Sequence, residues 1–388
     1  MQIPFHRPYM TDDEVQAASR AILNGWLTMG EISFKFENDF RQKVGSSHAV
    51  AVNSCTAALH LALCAINLEA DDEVIIPADT FTATGEVITY FKAKPVIADI
   101  EKDTHNISIK SIEEKITPRT RAIIPVHFSG QPCDMDEIMS IAEKHKLKVI
   151  EDAAHAFPAR YKNRNVGTIG DITAFSFYAT KTITAGEGGM ITTENEEWAQ
   201  RMKMLRLHGI SKDAWKRYSA EGTYVYDVIE PGFKYNPTDI SSAIASVQLS
   251  KSDEMNDRRL QITQRYIEAF RNNDAFIPYV VKPDRETCWH LYPLRLNPEA
   301  LSISRDEFMI KLKQKGIVTS VHFIPLYRFT WYKNQGWDAA DFANSEWVFE
   351  REISLPIYPS LTDEEVDYVI ENVIEIAAQN LRIGSPAR

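Results

Sequence analysis

Apolar and polar positions follow two rhythms along this chain, and the change between them marks its parts. Pro4 and Pro8 keep the first ten residues extended. Thr11-Asp12-Asp13-Glu14 is a capping box, with Thr11 as N-cap and Glu14 at the third helical position. The pattern predicts a helix to Leu23, with Gly25 placed to end it. Residues 26–30 read as a loop. A second helix, with Phe34, Phe36 and Phe40 among its apolar positions, ends near Val44. From residue 48 short β-branched runs alternate with helical stretches. Strands are predicted at 48–53, 74–77, 95–100, 122–127 and 148–151. Helices are predicted from Ser54-Cys55-Thr56 onward and at 81–90, 111–116 and 135–145. A further apolar run ends at Ser176–Tyr178. Strands buried on both faces and separated by helices mean a mostly parallel sheet covered by helices. In such sheets ligands sit beyond the carboxyl ends of the strands.

After a helix at 196–207, residues 209–237 are irregular and rich in Tyr, Gly and charge. That is too long for an ordinary connection and points to a functional or interfacial role. Helices follow at 241–250 and 255–272. The pattern then becomes α+β: a strand at 289–296, a helix at 306–315 ended by Gly316, a strand at 317–323 and a closing helix at 364–377. Two domains are expected, 1–250 and 251–380, with a disordered tail at 381–388.

Composition narrows the picture only a little. The chain has 388 residues, 44% hydrophobic and 25% charged, as a soluble globular protein would. Its net charge of -11 argues against a non-specific nucleic-acid surface. No segment is apolar and long enough to cross a bilayer, and the N-terminus carries no signal-peptide core. Cys55, Cys64, Cys133 and Cys288 are scattered, so neither a disulfide framework nor a metal site is expected. A reducing, cytoplasmic setting fits them.

Candidate chemistry gathers where a ligand would sit. Asn53-Ser54-Cys55-Thr56-Ala57-Ala58 leads from a strand into a helix N-terminus, which favours a phosphate. Phe81, after the strand at 74–77, can stack on a flat heterocycle. Asp152 ends a buried strand and needs a cationic partner, which a protonated pyridine nitrogen would supply. His155 lies three residues on. Ser176 can donate to the same phosphate. Lys181, just past a buried strand and before a glycine turn, can lose its proton through desolvation and form a Schiff base. Each has a plainer reading alone: a helix cap, a core phenylalanine, an internal ion pair, a serine in a strand, a surface lysine. Their joint order describes a pyridoxal phosphate pocket.

These motifs, with Pro125-Val126-His127 and Gly186-Glu187-Gly188-Gly189, resemble the DegT/DnrJ/StrS family of pyridoxal-phosphate-dependent nucleotide-sugar aminotransferases over nearly the whole chain. The resemblance implies an α/β fold of aspartate-aminotransferase type (fold type I): a large domain with a mostly parallel seven-stranded sheet and a smaller α+β C-terminal domain. It is closest to the branch that aminates 4-keto sugars, typified by UDP-4-amino-4-deoxyarabinose aminotransferases. The stretches that carry this are His208-Gly209-Ile210 with Asp213-Ala214-Trp215, and Pro231-Gly232-Phe233-Lys234-Tyr235-Asn236.

By that resemblance Lys181 is the Schiff-base lysine and Asp152 the partner of the pyridinium nitrogen. His155 is a ring contact and Phe81 the stacking aromatic. Cys55, Thr56 and Ser176 hold the phosphate. Asn236 reaches the cofactor phosphate of a neighbouring subunit, which implies a homodimer with shared sites. Thr28, His208 and His322 line the sugar-nucleotide pocket, and Arg217, Lys234 and Arg328 are candidates for the nucleotide diphosphate.

The implied reaction moves the amino group of L-glutamate to a keto carbon, C4 before C3, of a nucleotide-linked sugar for surface polysaccharide. It is ping-pong, through an internal aldimine and pyridoxamine phosphate, and releases 2-oxoglutarate. UDP leads among the nucleotides, with GDP and dTDP open. Three other readings stand against it. A 3-dehydratase of the same fold carries His in place of the lysine. A non-catalytic regulator adds a DNA-binding module. A dinucleotide oxidoreductase needs a Gly-x-Gly-x-x-Gly turn that is missing after the first strand.

Overall fold

The computed structural model describes residues 1–211 and 226–382. The expected capping box is formed: the Thr11 N–H donates to Glu14 Oε2 (2.8 Å) at the head of the Asp12–Leu23 helix. Glu14 is buried. It also accepts from Gln248 Nε2 (2.7 Å), which pins this helix to Asp239–Ser250. Ala17, Ala21 and Ala243 let the two helices approach closely. The next helix, Glu31–Val44, ends at Gly45 in the left-handed conformation.

Seven strands form the large sheet: β1 (His48–Val52), β2 (Glu73–Pro77), β3 (Lys94–Ala98), β4 (Thr120–Ile123), β5 (Lys148–Asp152), β6 (Ile172–Ser176) and β7 (Gly189–Thr193). Their spatial order is β1-β7-β6-β5-β4-β2-β3. β6, β5, β4, β2 and β3 are parallel to their neighbours, and only β7 runs antiparallel, to β1 and β6. Successive side chains fall on opposite faces, as strand geometry requires. Val50 and Val52 join the core under the Cys55–Ala65 helix, whereas Ala49 and Ala51 face Phe36, Phe40 and Phe175. That helix is buried from Ala57 to Ala65, which explains why its apolar residues run all round it.

β7 is absent from the expected strands and matters most for the site. Because it runs backwards, its first residue, Gly189, lies abreast of Val52 and Ser176 at the carboxyl ends of β1 and β6.

The C-terminal part packs the helices Ser252–Phe270, Arg305–Gln314 and Asp363–Gln379 around an antiparallel sheet of Phe276–Ile277, Tyr292–Leu296 and Glu352–Leu355. Ile3 inserts into this core, and its N–H donates to the Gly316 carbonyl (2.8 Å). A second small sheet joins Arg160–Tyr161, Arg164–Asn165 and Arg285–Glu286.

Three expectations change. The strand at 289–296 begins only at Tyr292, because Trp289 adopts a left-handed φ of 47° that breaks an extended run. Residues 317–323 are not a strand. Among the described residues their only β-bridges are the isolated ones Ile3–Ile317 and Ser320–Ser354, which form no ladder. Consecutive residues His322 and Phe323 line the same cavity, which strand alternation forbids. The expected tail at 381–388 is tied down at its start: Leu381 bridges Leu301, and the Arg382 N–H donates to Ala300 O (2.8 Å). Residues 383–388 lie outside the described residues.

Candidate active site

A cavity of about 480 Å³ opens at the carboxyl ends of β1, β5 and β6. Cys55, Thr56, Phe81, Asp152, His155, Ser176, Lys181 and His322 all line it. Its size suits a small-molecule site.

β6 delivers Lys181. The strand ends at Ser176, and the chain then loops out and back. The Phe177 N–H donates to Gly188 O and the Ala185 N–H to Phe177 O, both at 2.9 Å. Within the loop the Lys181 N–H donates to Tyr178 O (2.9 Å). Burial lowers the Lys181 amine to about 8, against the opposing pull of Cys55 and Asp152. An amine so placed has a substantial neutral fraction near physiological pH, which a nucleophile needs.

β5 delivers two carboxylates with opposite fates. Glu151 points away from the cavity. Burial alone would raise it. Hydrogen bonds from His127 Nε2, Gly170 N and Thr173 Oγ1, each 2.8 Å, bring it below its ordinary value. His127 Nδ1 accepts from the Cys133 N–H (3.1 Å), so its proton sits on Nε2 and the Pro125-Val126-His127 motif is structural. Asp152 faces the cavity. It accepts from Thr84 Oγ1 (2.8 Å) and the Ala154 N–H (3.1 Å), yet burial dominates and pushes its carboxyl up. The nearby Lys181 offsets that burial only in part, which leaves Asp152 suited to a further cation.

The imidazoles around this pair are neutral. Burial takes His155 and His290 well below the ordinary value, and His6 to about 4 and His322 to about 3. The His155 and His290 rings lie 4.4 Å apart, and Phe323 stacks on His155 at 5.6 Å. His155 Nδ1 and His290 Nδ1 are buried without a protein partner among the described residues. The sequence pattern missed Phe5, His6, Thr84, His290 and Phe323. Only Thr84 left a signal there, as the fourth residue after Thr80, whose hydroxyl it meets at 2.7 Å.

The helix Cys55–Ala65 ends in the cavity. The Ser54 hydroxyl is its cap, accepting from the Ala57 N–H (3.1 Å), so the plainer reading holds for that residue. The Cys55 and Thr56 N–H groups at the helix start remain for an anion. The Ser176 hydroxyl accepts only a long bond from the Tyr178 N–H (3.3 Å). Gly189 closes this corner: a β-carbon there would sit 2.6 Å from the Ser54 carbonyl and 2.8 Å from Cys55 N. Phe81 is 62% exposed at the cavity mouth, 6.5 Å from Phe323, so it is no core residue.

Thr28, His208 and Asn236 do not line this cavity. Asn236 Nδ2 donates to Pro237 O (3.0 Å) and reaches Thr28 Oγ1 at 3.5 Å, while its Oδ1 is buried without a protein partner among the described residues. His208 is exposed, at a left-handed φ of 61°. Arg328 is tied to Glu346 (2.8 Å), Lys234 is exposed, and Asp213, Ala214, Trp215 and Arg217 lie outside the described residues. Among the described residues no helix is long and apolar enough to cross a membrane.

A depressed amine, a carboxyl suited to a further cation, and a helix N-terminus flanked by hydroxyls fit one group with an aldehyde, a basic ring nitrogen and a phosphate. Pyridoxal phosphate carries all three.

Known proteins agree. The model of the DegT/DnrJ/EryC1/StrS aminotransferase family matches residues 8–374. An uncharacterized protein of Methanocaldococcus jannaschii is 52% identical over 97% of this chain and 98% of its own. The spore coat polysaccharide biosynthesis protein SpsC of Bacillus subtilis is 46% identical over 96% and 97%. Among solved structures, Spr1654 of Streptococcus pneumoniae, provisionally assigned as a sugar aminotransferase, superposes with a TM-score of 0.92 in its PMP form. It is 34% identical and covers 98% of both chains; its PLP form gives 0.91. With the fold, the cavity and these matches in hand, the chain belongs to the DegT/DnrJ/EryC1/StrS aminotransferase family and is a pyridoxal-phosphate-dependent enzyme.

Proposed function

We propose that this enzyme moves the amino group of L-glutamate to C4 of a nucleotide-linked keto sugar, UDP-linked before GDP or dTDP, in the cytoplasm and as a step toward a surface polysaccharide. One observation carries the reading. Lys181 and Asp152 share a buried cavity, with the amine displaced down and the carboxyl displaced up. The relation to SpsC supports the polysaccharide.

Pyridoxal phosphate, when bound, would supply the electron sink for charge on the substrate α-carbon. Lys181 anchors it and, once free, holds or releases a proton at Nζ as general base and acid. Asp152 would pair with the ring nitrogen and keep it protonated. The Cys55 and Thr56 N–H groups and the Ser176 hydroxyl would take the phosphate. Phe81 would cover the ring from the mouth, and His155 and His322, both neutral, would orient ring and sugar through hydrogen bonds rather than charge.

Asn236 supports a homodimer with shared sites: its buried carboxamide oxygen has no protein partner among the described residues, and its side chain is off the cavity wall. Exposed Trp26, Leu27, Val228 and Ile229 offer apolar surface for it. Mixing inactive Lys181→Ala and Asn236→Ala proteins should restore activity, because one site of each mixed dimer would be intact. No recovery would remove the shared site.

The substrate is tested by incubating the enzyme and L-glutamate with a panel of 4-keto and 3-keto nucleotide sugars. An aminated 4-keto product, with 2-oxoglutarate formed in equal amount, is expected. Conversion of glutamate without transfer to any nucleotide sugar would overturn the substrate reading. Transfer to 3-keto sugars alone would move the amine to C3.

A further inference from the structure

Behind the cavity wall that carries His322 lies a hydrogen-bonded relay. His322 Nδ1 meets Ser354 Oγ at 2.8 Å, and Ser354 Oγ meets Glu352 Oε1 at 2.5 Å. Glu352 Oε2 accepts from the His322 backbone N–H (3.1 Å), which closes a ring. Glu352 and Ser354 are each 0% exposed, two residues apart on one strand and therefore on one face of it. His322 Nε2 has no hydrogen bond among the described residues, and its ring lines the cavity beside Lys181 and His155.

A serine hydroxyl has one proton, so the relay has a sense. With Glu352 ionised, Ser354 donates to the carboxylate, and His322 Nδ1–H donates to Ser354. Nε2 then offers a lone pair to the cavity. With Glu352 protonated, the acid donates to Ser354 and Ser354 donates to Nδ1. Nε2 then offers a proton. We propose that Glu352 and Ser354 are positioning residues that set the tautomer of His322, and with it the hydrogen-bonding sense that Nε2 presents to the sugar. The sugar as ligand rests on the function proposed above; the relay does not.

The groups around Glu352 make the switch reachable. Burial raises its carboxyl to about 8, against the lowering effects of Ser354, the His322 N–H and the charge of Arg305. Arg295, opposite Glu352 on the neighbouring strand, is committed to the carbonyls of Lys102 and Ile277. Asp79, at the end of β2, is a buried carboxyl that is itself pushed up, so it adds no stabilising cation. His322 is held to about 3 by burial and then by Lys181, so across the working range only its tautomer changes, not its charge.

The test is nitrogen-15 NMR of the holoenzyme labelled at histidine, with His322 assigned by its loss in His322→Gln. Nε2–H is expected at pH 6.5, giving way to Nδ1–H above about pH 8, the value to which Glu352 is raised. In Glu352→Gln the carboxamide oxygen keeps the His322 N–H and its NH₂ group faces Ser354. This variant is isosteric, should fold, and should hold Nε2–H at every pH. Ser354→Ala should uncouple the tautomer from pH.

In kinetics, the ratio of kcat/KM for the keto sugar in the parent to that in Glu352→Gln should change roughly fivefold to tenfold between pH 7 and 9, the worth of about one hydrogen bond, because the titration of Lys181 is common to both proteins and cancels in the ratio. The same His322 tautomer in parent and Glu352→Gln at every pH from 6 to 9 would overturn the relay. A clear switch in a protein that aminates no nucleotide sugar would uphold the relay and overturn the substrate reading instead.

Discussion

Two sets of residues meet in the Lys181 cavity, and they are assembled by different means. Asp152, Ser176 and Cys55 each sit at the last position of a strand or the first of a helix. Their places follow from where β5, β6 and the Cys55–Ala65 helix end. His6, His290 and His322 come from an N-terminal arm and two loops far apart in sequence, and each reaches the cavity only because its segment is tied elsewhere. Ile3 is bonded to Gly316, Ser129 to His290 and Leu291, and Ser320 to Ser354. The first set is positioned by the sheet and carries charge displaced from its ordinary state. The second is positioned by tertiary hydrogen bonds and is neutral. On the function proposed above, contacts to the cofactor belong to the first set and contacts to the sugar to the second.

The largest effect that could break this division is at Lys181. Lys181→Ala should lower aminotransfer by 10³-fold or more, since both anchor and proton carrier are lost. Borohydride reduction followed by peptide mapping should no longer fix pyridoxal phosphate to residue 181. Covalent trapping that persisted in the variant would move the chemistry elsewhere.

Asp152→Asn should follow, with turnover down on the order of 100-fold, because removing one partner of a buried pair costs about 3 kcal/mol. The cofactor-free variant should be more stable than the parent by an amount on the order of 1 kcal/mol, because Lys181 only partly offsets the desolvation of the parent's buried carboxyl. A lower melting point would mean that Asp152 is structural, like Glu151.

Glu352 tests the second set through stability. Its carboxyl is raised from 4.5 to about 8 in the folded chain. The folded state then binds more protons than the unfolded one between those values, so stability falls as pH rises from about 4.5 to 8 and levels off above. The unfolding free energy of the parent from urea melts should drop over that window relative to Glu352→Gln by a few kcal/mol at most. Parallel curves would show that the carboxyl is not displaced.

The smallest effect is expected at Phe81, at the cavity mouth. Phe81→Ala should weaken cofactor retention several-fold, the worth of about 1 kcal/mol of ring contact, and leave stability within about 0.5 kcal/mol. Gel filtration and absorbance would show both. A large loss of stability would make Phe81 a core residue.

The same division decided what could be read from the sequence. Asp152 was legible because a carboxylate at the end of an apolar run has few places to go, and Lys181 because it breaks an apolar run before glycines. The parallel strands were legible from their β-branched runs. β7 was not: Gly189-Met190-Ile191-Thr192-Thr193 looks like the end of a glycine turn, and only its pairing with β1 and β6 makes it a strand. The Glu352–Leu355 strand was also missed, since Glu and Ser at alternate positions give no apolar alternation to mark it. Both are buried and hydrogen-bonded to His322, which is far away in sequence. Residues 317–323 read as a strand because of their apolar content, and became a loop because two neighbours must point into one cavity.

Gly189 also gives the site a ruler. Its backbone leaves no room for a β-carbon against the backbone of Ser54 and Cys55, and the next residue back is bonded to Phe177, from which the chain departs toward Lys181. The spacing between the start of the loop that carries Lys181 and the helix N-terminus is thus graduated in main-chain atoms, which do not rotate away as side chains do. A cofactor analogue with one added methylene between ring and phosphate would carry every correct functional group and still be turned away, for its length alone.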